Sequence, residues 1–336
     1  MKAIGYKHAH AISENKLVDI ELPAPVASGH DLLVEVKAIS VNPVDTKIRN
    51  NVSAADNGYK VLGWDAVAVV KAVGDKVSLF QPGDRVWYAG DISRSGSNAE
   101  LQLVDERIVG FAPDSLTDAE AAALPLTAIT AWEMLFDRLQ IQPGKQHSGQ
   151  SVLIIGAAGG VGSILVQLAR KLTAATVIGT ASRPETQTWL TQLGAHHVID
   201  HSQSLSQQLK QLGIGQVSHV ISLNNSSEHY AEIIESLQPQ GKFGLIDDPE
   251  SLDATKLKRK SLSLHWELMF TRSLYQTDDM IAQHRLLNEI AMLIDDGILV
   301  TTVGSHFGRI NAENIYRAHQ LLESQKARGK IVLEGF

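Results

Sequence analysis

The sequence predicts an α/β protein in which an open, doubly wound parallel sheet is joined to a second, β-rich domain. Three observations predict it. A glycine-rich turn, Gly156-Ala-Ala-Gly-Gly-Val-Gly162, stands between an apolar run and an amphipathic stripe. Strand-like and helix-like segments then alternate from about 151 to 267. The first 120 residues instead show short strand-like runs punctuated by glycine and proline.

The apolar run Ser151–Ile155 suits a fully buried parallel strand. After the turn, Val161, Ile164, Leu165, Leu168, Ala169 and Leu172 mark one face of a helix over 160–172. A strand, a glycine turn and a helix N-terminus in this order build an anion site from backbone N–H groups and the helix dipole. The pattern implies a bound dinucleotide, with Gly156, Gly159, Gly160, Val161 and Gly162 against its pyrophosphate. Further strands are expected at Thr176–Thr180, His197–Asp200, Val217–Leu223, Gly241–Ile246 and Ser261–His265. Helices at 184–193, about 203–212 and about 227–237 separate them. This alternation is that of a Rossmann sheet. Before it, Leu32–Ile39, Ala66–Val73 and Arg85–Ala89 read as strands between turn signals. After it come a helix over roughly 279–296, a strand Val303–Phe307, a helix near 312–324 and a strand Ile331–Leu333. That last strand has no sheet of its own and is expected to return to the N-terminal domain.

Composition narrows the functional classes. The 336 residues suffice for two domains, and 44% hydrophobic with 20% charged residues is ordinary globular usage. Thirty Lys and Arg against 37 Asp and Glu give a net charge of −7. The densest basic run, Lys256–Lys260, is too short for a nucleic-acid face. Residues 146–169 carry no charged side chain, but their five glycines and the turn they make favour a buried strand–turn–helix over a membrane span. Lys2, Lys7 and Glu14 interrupt any secretory signal. The expectation is a cytoplasmic protein acting on small molecules, with no nucleic-acid or membrane partner. With no cysteine, disulfides, thiol nucleophiles and thiolate zinc sites are excluded. Thirteen histidines remain; His8 and His10 could share a strand face, but neither they nor His196 and His197 show the spacing and third ligand of a catalytic zinc site.

Several ordered motifs resemble one family over essentially the full length. They are Ser40-Val-Asn-Pro-Val-Asp45, Gly63-Trp-Asp65, Val73-Gly74, Pro82-Gly-Asp-Arg-Val86, Ala121-Ala-Ala-Leu-Pro125 with Thr127 and Ala131-Trp132, the glycine turn, Leu193-Gly-Ala195 with Val198-Ile-Asp200, and Gly329-Lys-Ile-Val332. The chain resembles a zinc-independent member of the medium-chain dehydrogenase/reductase superfamily, in its quinone oxidoreductase-like branch. The resemblance implies a GroES-like catalytic domain, residues 1–123 and 268–336, wrapped around a Rossmann domain, residues 124–267. It implies a homodimer or homotetramer, with Ser261–His265 a candidate dimer edge. Zinc-dependent relatives carry a cysteine at the position of Asn42 and Gly-His-Glu at Gly63-Trp64-Asp65, so two expected ligands are replaced and no zinc is expected.

In NAD-binding sheets an acidic residue about 20 positions past the glycines holds the ribose hydroxyls. Here that place reads Thr180-Ala-Ser-Arg-Pro184. Ser182 and Arg183 suit a 2′-phosphate, which favours NADPH over NADH, although Arg183 is also readable as a solvated residue opening the next helix. The resemblance adds His201, Leu223 and Lys330 to the cofactor contacts, and Thr127 with Asn42 to the nicotinamide border. The alternative for Asn42 is a turn residue before Pro43. Quinone reductases often place a Tyr where Lys47 stands; its ammonium could serve the developing oxyanion or supply a proton, or be a surface group. Tyr59 is a second proton donor, although the polar stretch 50–58 reads as a mobile loop. Trp64, Tyr88 and Phe270 are candidates for the substrate cleft, with core packing as the alternative. Asp45, Asp65, Gly83 and Asp84 read as structural. The function implied is NADPH-dependent hydride transfer to a quinone or an activated C=C without zinc. The rivals are alcohol dehydrogenase-type carbonyl reduction and NADPH binding with little turnover.

Overall fold

The computed structural model describes residues 1–55, 58–146 and 149–336. The chain forms two compact units, residues 1–129 with 270–336, and residues 130–269.

The first unit begins with β1 (Lys2–Tyr6), paired antiparallel with β2 (Val18–Glu21). His8 and His10 lie beyond β1, so the expected shared strand face does not form. The long β3 (Asp31–Val41) alternates half-buried and buried residues along most of its length, the period-2 pattern of a strand with one face on a core. It ends at Asn42, extended at φ −131°, and Pro43 opens α1 (Pro43–Asn51), where a missing N–H costs nothing. The helix takes in the first two residues of the stretch expected as a loop, whose residues 56 and 57 lie outside those described. Next come β4 (Lys60–Val61), β5 (Ala66–Val73), β6 (Arg85–Tyr88), β7 (Leu101–Asp105) and β8 (Val109–Phe111). β3 pairs antiparallel with β5 and β7, and β6 joins β5 to β8. The short α2 (Asp118–Ala122) and α3 (Pro125–Trp132) lead out of this unit.

The second unit alternates β9 (Ser151–Ile155), α4 (Gly160–Leu172), β10 (Thr176–Thr180), α5 (Pro184–Gln192), β11 (His197–Ile199), α6 (Leu205–Gln211), β12 (Val217–Ser222), α7 (Ser226–Ser236), β13 (Leu237–Leu245) and β14 (Ser263–Trp266). Every pairing is parallel, in the order β11-β10-β9-β12-β13-β14. This is the doubly wound order, and it reverses between β9 and β12. Leu153, Ile155, Ile178, Val220, Phe243 and Leu245 fill the core with Leu209 and Ile233 from the helices. β14 starts two residues later than expected because Ser261, at φ +52°, caps a 3-10 turn over Ala254–Lys260.

The chain then re-enters the first unit through α8 (Thr271–Leu274), α9 (Ala282–Asp295), β15 (Val303–His306), α10 (Ala312–Glu323) and β16 (Lys330–Glu334). As expected, the last strand joins the N-terminal sheet: β16 pairs antiparallel with β3, Ile331 opposite Val41 and Leu333 opposite Ile39. A buried polar cluster holds α10 to α1. Arg49 is fully buried; its guanidinium donates to His319 Nδ1 at 2.9 Å, to the carbonyl of His10 at 3.3 Å, and to the Glu323 carboxylate. Burial first, and then the Arg49 charge, push His319 down to about 3, so it stays neutral and accepts from Arg49. Arg49→Met leaves these acceptors unsatisfied. It should cost roughly 2–4 kcal/mol, the cost of breaking a buried ion pair with one end reaching water, read from the urea midpoint.

Candidate active site

Two groups of polar atoms, one in each unit, have the makings of a site. In the second unit the glycine turn sits at the carboxyl end of β9, beside the reversal in strand order, where open α/β sheets bind their ligands. Gly156 takes φ +77°, which L side chains rarely adopt, and its N–H donates to Thr180 Oγ1 at 3.2 Å. A Cβ on Gly162 would stand 2.3 Å from the carbonyl oxygen of Ala157, so only glycine lets α4 pack this closely on the turn. Gly159 caps α4 without any side-chain acceptor, so no side chain of the cap covers the first helical N–H groups of Gly160 and Val161. Leu223 follows β12 on the other side of the reversal, its N–H bonded to the Ile155 carbonyl at 3.1 Å. Asn224, not anticipated from sequence, reaches back to the turn; its Oδ1 would lie 2.5 Å from a Cβ on Gly156.

At the end of β10, Ser182 is exposed and Arg183 caps α5, its side chain 42% exposed and 3.4 Å from Glu185. His201 follows β11, with its ring 6.2 Å from that of His229 and its Nδ1 buried without a hydrogen-bond partner among the described residues. The turn, Ser182–Arg183, His201 and Leu223 thus all stand at the carboxyl ends of strands of one sheet.

The first unit buries a tighter cluster. The Lys330 ammonium, at the start of β16, donates to the Val41 carbonyl at 3.1 Å, to Asp65 Oδ2 at 2.9 Å, and to Asn42 Oδ1. Asp65 Oδ2 also accepts from Ser40 Oγ at 2.8 Å and Asn42 Nδ2 at 3.0 Å. Asp65 Oδ1 accepts the N–H of Leu126 at 2.9 Å, in the first turn of α3. Asp45 reaches back from α1 to the N–H of Asn42 at 2.7 Å. Asp45 and Asp65 are fully buried, and Lys330 is 3% exposed.

Known proteins are similar to this chain. Residues 28–119 match the family model of the alcohol dehydrogenase GroES-like domain, and residues 193–333 match that of zinc-binding dehydrogenases. A zinc-type alcohol dehydrogenase-like protein of Staphylococcus aureus (strain MSSA476) is 42% identical over 336 residues, covering 99% of each chain. The chain belongs to the medium-chain dehydrogenase/reductase superfamily of oxidoreductases. Its place is in the quinone oxidoreductase-like branch. The quinone oxidoreductase of Lama guanicoe is 28% identical over 93% of this chain and 91% of its own. The crystal structure of a Rhizobium etli CFN 42 protein, provisionally called a zinc-dependent alcohol dehydrogenase, superposes with a TM-score of 0.96 at 54% identity, over 100% of this chain and 98% of its own.

Within this medium-chain dehydrogenase/reductase the remaining candidate residues fall into unequal places. Asn42 is 1% exposed, with its amide oxygen taken by Lys330 and its amide nitrogen by Asp65. Thr127 is 2% exposed and donates to the Leu124 carbonyl at 3.0 Å. Lys330, expected against the cofactor, is drawn inward instead because Asp65 would otherwise be a buried, unpaired charge. Lys47 is exposed on α1. Tyr59 is 41% exposed, with the Lys7 ammonium 5.0 Å from its ring centre. The three cleft candidates are core residues of the first unit. Trp64 and Tyr88 are fully buried, Trp64 donating to the Asp91 carbonyl at 3.2 Å and Tyr88 to Gln102 Oε1 at 2.7 Å. Phe270 packs edge-on to Trp64, with ring centres 6.4 Å apart. Aromatic bulk with its polar ends satisfied internally is what a core requires, and it outweighs the cleft reading.

Burial pushes the Asp45 carboxyl up to about 7, against the opposing pull of the Asn42 N–H and the Lys330 charge. Between the ordinary carboxylate value and about 7 the folded protein keeps this proton while the unfolded chain has lost it. The contribution of Asp45 is therefore fully present in acid, falls as pH rises toward 7, and stays low above it. Asp45→Asn keeps an acceptor for Asn42 and has no charge to bury. The variant's melting temperature relative to wild type should be higher at pH 8 than at pH 5.

Proposed function

We propose that this oxidoreductase binds NADPH and delivers hydride to a quinone or to the C=C bond of an enone or enal, without zinc. The observation that carries the reading is the uncapped glycine turn at the strand-order reversal, followed on the neighbouring strand by Ser182 and Arg183 rather than by an acid. The α4 N-terminus neutralises pyrophosphate charge. The Arg183 fork and the Ser182 hydroxyl offer donors to a 2′-phosphate that a carboxylate would repel. Once bound, the nicotinamide supplies the hydride; the protein's part is to place it, exclude water and steady the charge that develops on the acceptor oxygen.

Asn42 and Thr127 are the residues we assign to the nicotinamide border. Thr127 gives its proton to Leu124 and keeps its lone pairs for a donor. Tyr59 is our choice of proton donor over Lys47, since its phenol reaches the surface beside the Lys7 cation. Zinc fits poorly. The chain has no cysteine, Asn42 is bonded to an ammonium, and Trp64 stands in the core where a histidine ligand would be needed. Among the described residues no three His, Asp or Glu side chains converge on one point. Such a site suits acceptors whose own conjugation spreads the incoming charge.

The test is NADPH oxidation followed at 340 nm across quinones, 2-alkenals, enones and simple aldehydes, with metal chelator present. Turnover of conjugated acceptors, undiminished by chelator, is expected; turnover lost to chelator and restored by zinc would overturn the zinc-free reading. Arg183→Ala should weaken NADPH by about tenfold or more and leave NADH nearly unchanged, a hydrogen bond to a charged group being worth about 1.5–3 kcal/mol. We also assign β14, at the end of the sheet with Trp266 51% exposed, to a contact between two copies of the chain. Sedimentation velocity should give a dimer or larger; a monomer at micromolar concentration would remove that assignment.

A further inference from the structure

The cluster around Lys330 has more order than a stray buried ion pair needs. An ammonium has three protons to donate, and all three are placed inside the first unit, on Val41, Asn42 and Asp65. None is left for a phosphate. The bonds of Asp65 are divided in the same deliberate way. One oxygen binds Lys330, Ser40 and the Asn42 amide nitrogen, and the other binds the N–H of Leu126, the residue before Thr127. One carboxylate therefore fixes both residues assigned to the nicotinamide border: Asn42 through its side chain and Thr127 through the first turn of α3. Lys330 supplies the only positive charge bonded to that carboxylate among the described residues, and it independently fixes the amide oxygen of Asn42.

We propose that Lys330 is a positioning residue for hydride transfer, a resident cation that acts through Asn42 and Asp65 and does not touch the cofactor phosphates. The inference rests on the assignment of Asn42 and Thr127 given above. An ammonium does here what a bound divalent ion would otherwise do: it gathers the oxygen atoms of Val41, Asn42 and Asp65 around one point. Unlike an exchangeable ion it cannot be removed by chelation, and it makes the geometry of Asn42 a property of the folded chain.

The experiment compares wild type with Lys330→Met and with the double variant Lys330→Met/Asp65→Asn. Each is assayed for NADPH dissociation constant by nucleotide fluorescence, for kcat and KM with the best acceptor found, and for melting temperature. Lys330→Met should keep NADPH affinity close to wild type and lose kcat by about 10- to 100-fold, the scale of a misplaced reacting group, with a smaller change in acceptor KM. It should also melt lower, because Asp65 is then buried alone. The double variant replaces a charged pair by a neutral one, so its melting temperature should recover while kcat stays low.

Recovery of kcat together with melting temperature would show a merely structural pair and overturn the proposal. NADPH affinity weakened about tenfold or more by Lys330→Met, without loss of fold, would place the ammonium on the phosphates and overturn it as well. Absence of turnover by the wild type with every acceptor is a different failure: it removes the assigned function and with it the kinetic role of Lys330. The placement of the ammonium away from the phosphates is then decided by the affinity measurement alone.

Discussion

The buried carboxylate of Asp65 is the constraint on which the first unit turns. A charge removed from water has to be repaid by hydrogen bonds and an opposite charge close by. Here four donors from four parts of the chain converge on it: Ser40 in β3, Asn42 at the head of α1, Leu126 in α3 and Lys330 in β16. Each partner fixes the element that carries it. The position of β16 beside β3 and the orientation of the Asn42 amide are consequences of a single charge that cannot be left alone.

The second unit is organised by a geometric constraint rather than an electrostatic one. Six parallel strands whose order reverses between β9 and β12 leave a crevice at their carboxyl ends, because the helices on the two sides run to opposite faces. The turn needs glycine at Gly156 for its positive φ and at Gly162 for close helix contact. What remains is bare backbone N–H, which recognises an anion without any charged side chain. In the proposed function, discrimination between nucleotides falls to Ser182 and Arg183, just past the end of β10.

Much of this was legible in the sequence because it rests on local pattern. The strands of the second unit, the glycine turn and the return of the last strand follow from apolar runs, helical spacing and turn residues, all short-range signals. The same reasoning missed how Asn42, Asp45, Asp65 and Lys330 combine. These residues are up to 288 positions apart, and nothing local marks Lys330 as buried rather than solvated. Trp64, Tyr88 and Phe270 were open to a cleft reading because an aromatic side chain suits a core and a pocket equally; the partners of the polar ends decide for Trp64 and Tyr88, and burial against Trp64 for Phe270. Asp65 and Asp45 read as structural from sequence, while their link to Asn42 and Lys330 lies in the third dimension.

The chain's route through the two units also orders the events of its synthesis. Residues 130–269 form a unit by themselves, so that unit has all its strands once the ribosome has passed β14. The first unit, begun earlier, cannot close then: β16 is made only after the second unit, and it brings Lys330. Until that strand arrives, β3 keeps an open edge and Asp65 has no counter-charge, so the N-terminal segment has reason to stay loose and hydrated. A chain truncated just before Gly329 would thus keep every strand of the second unit and lack the strand that brings Asp65 its counter-charge.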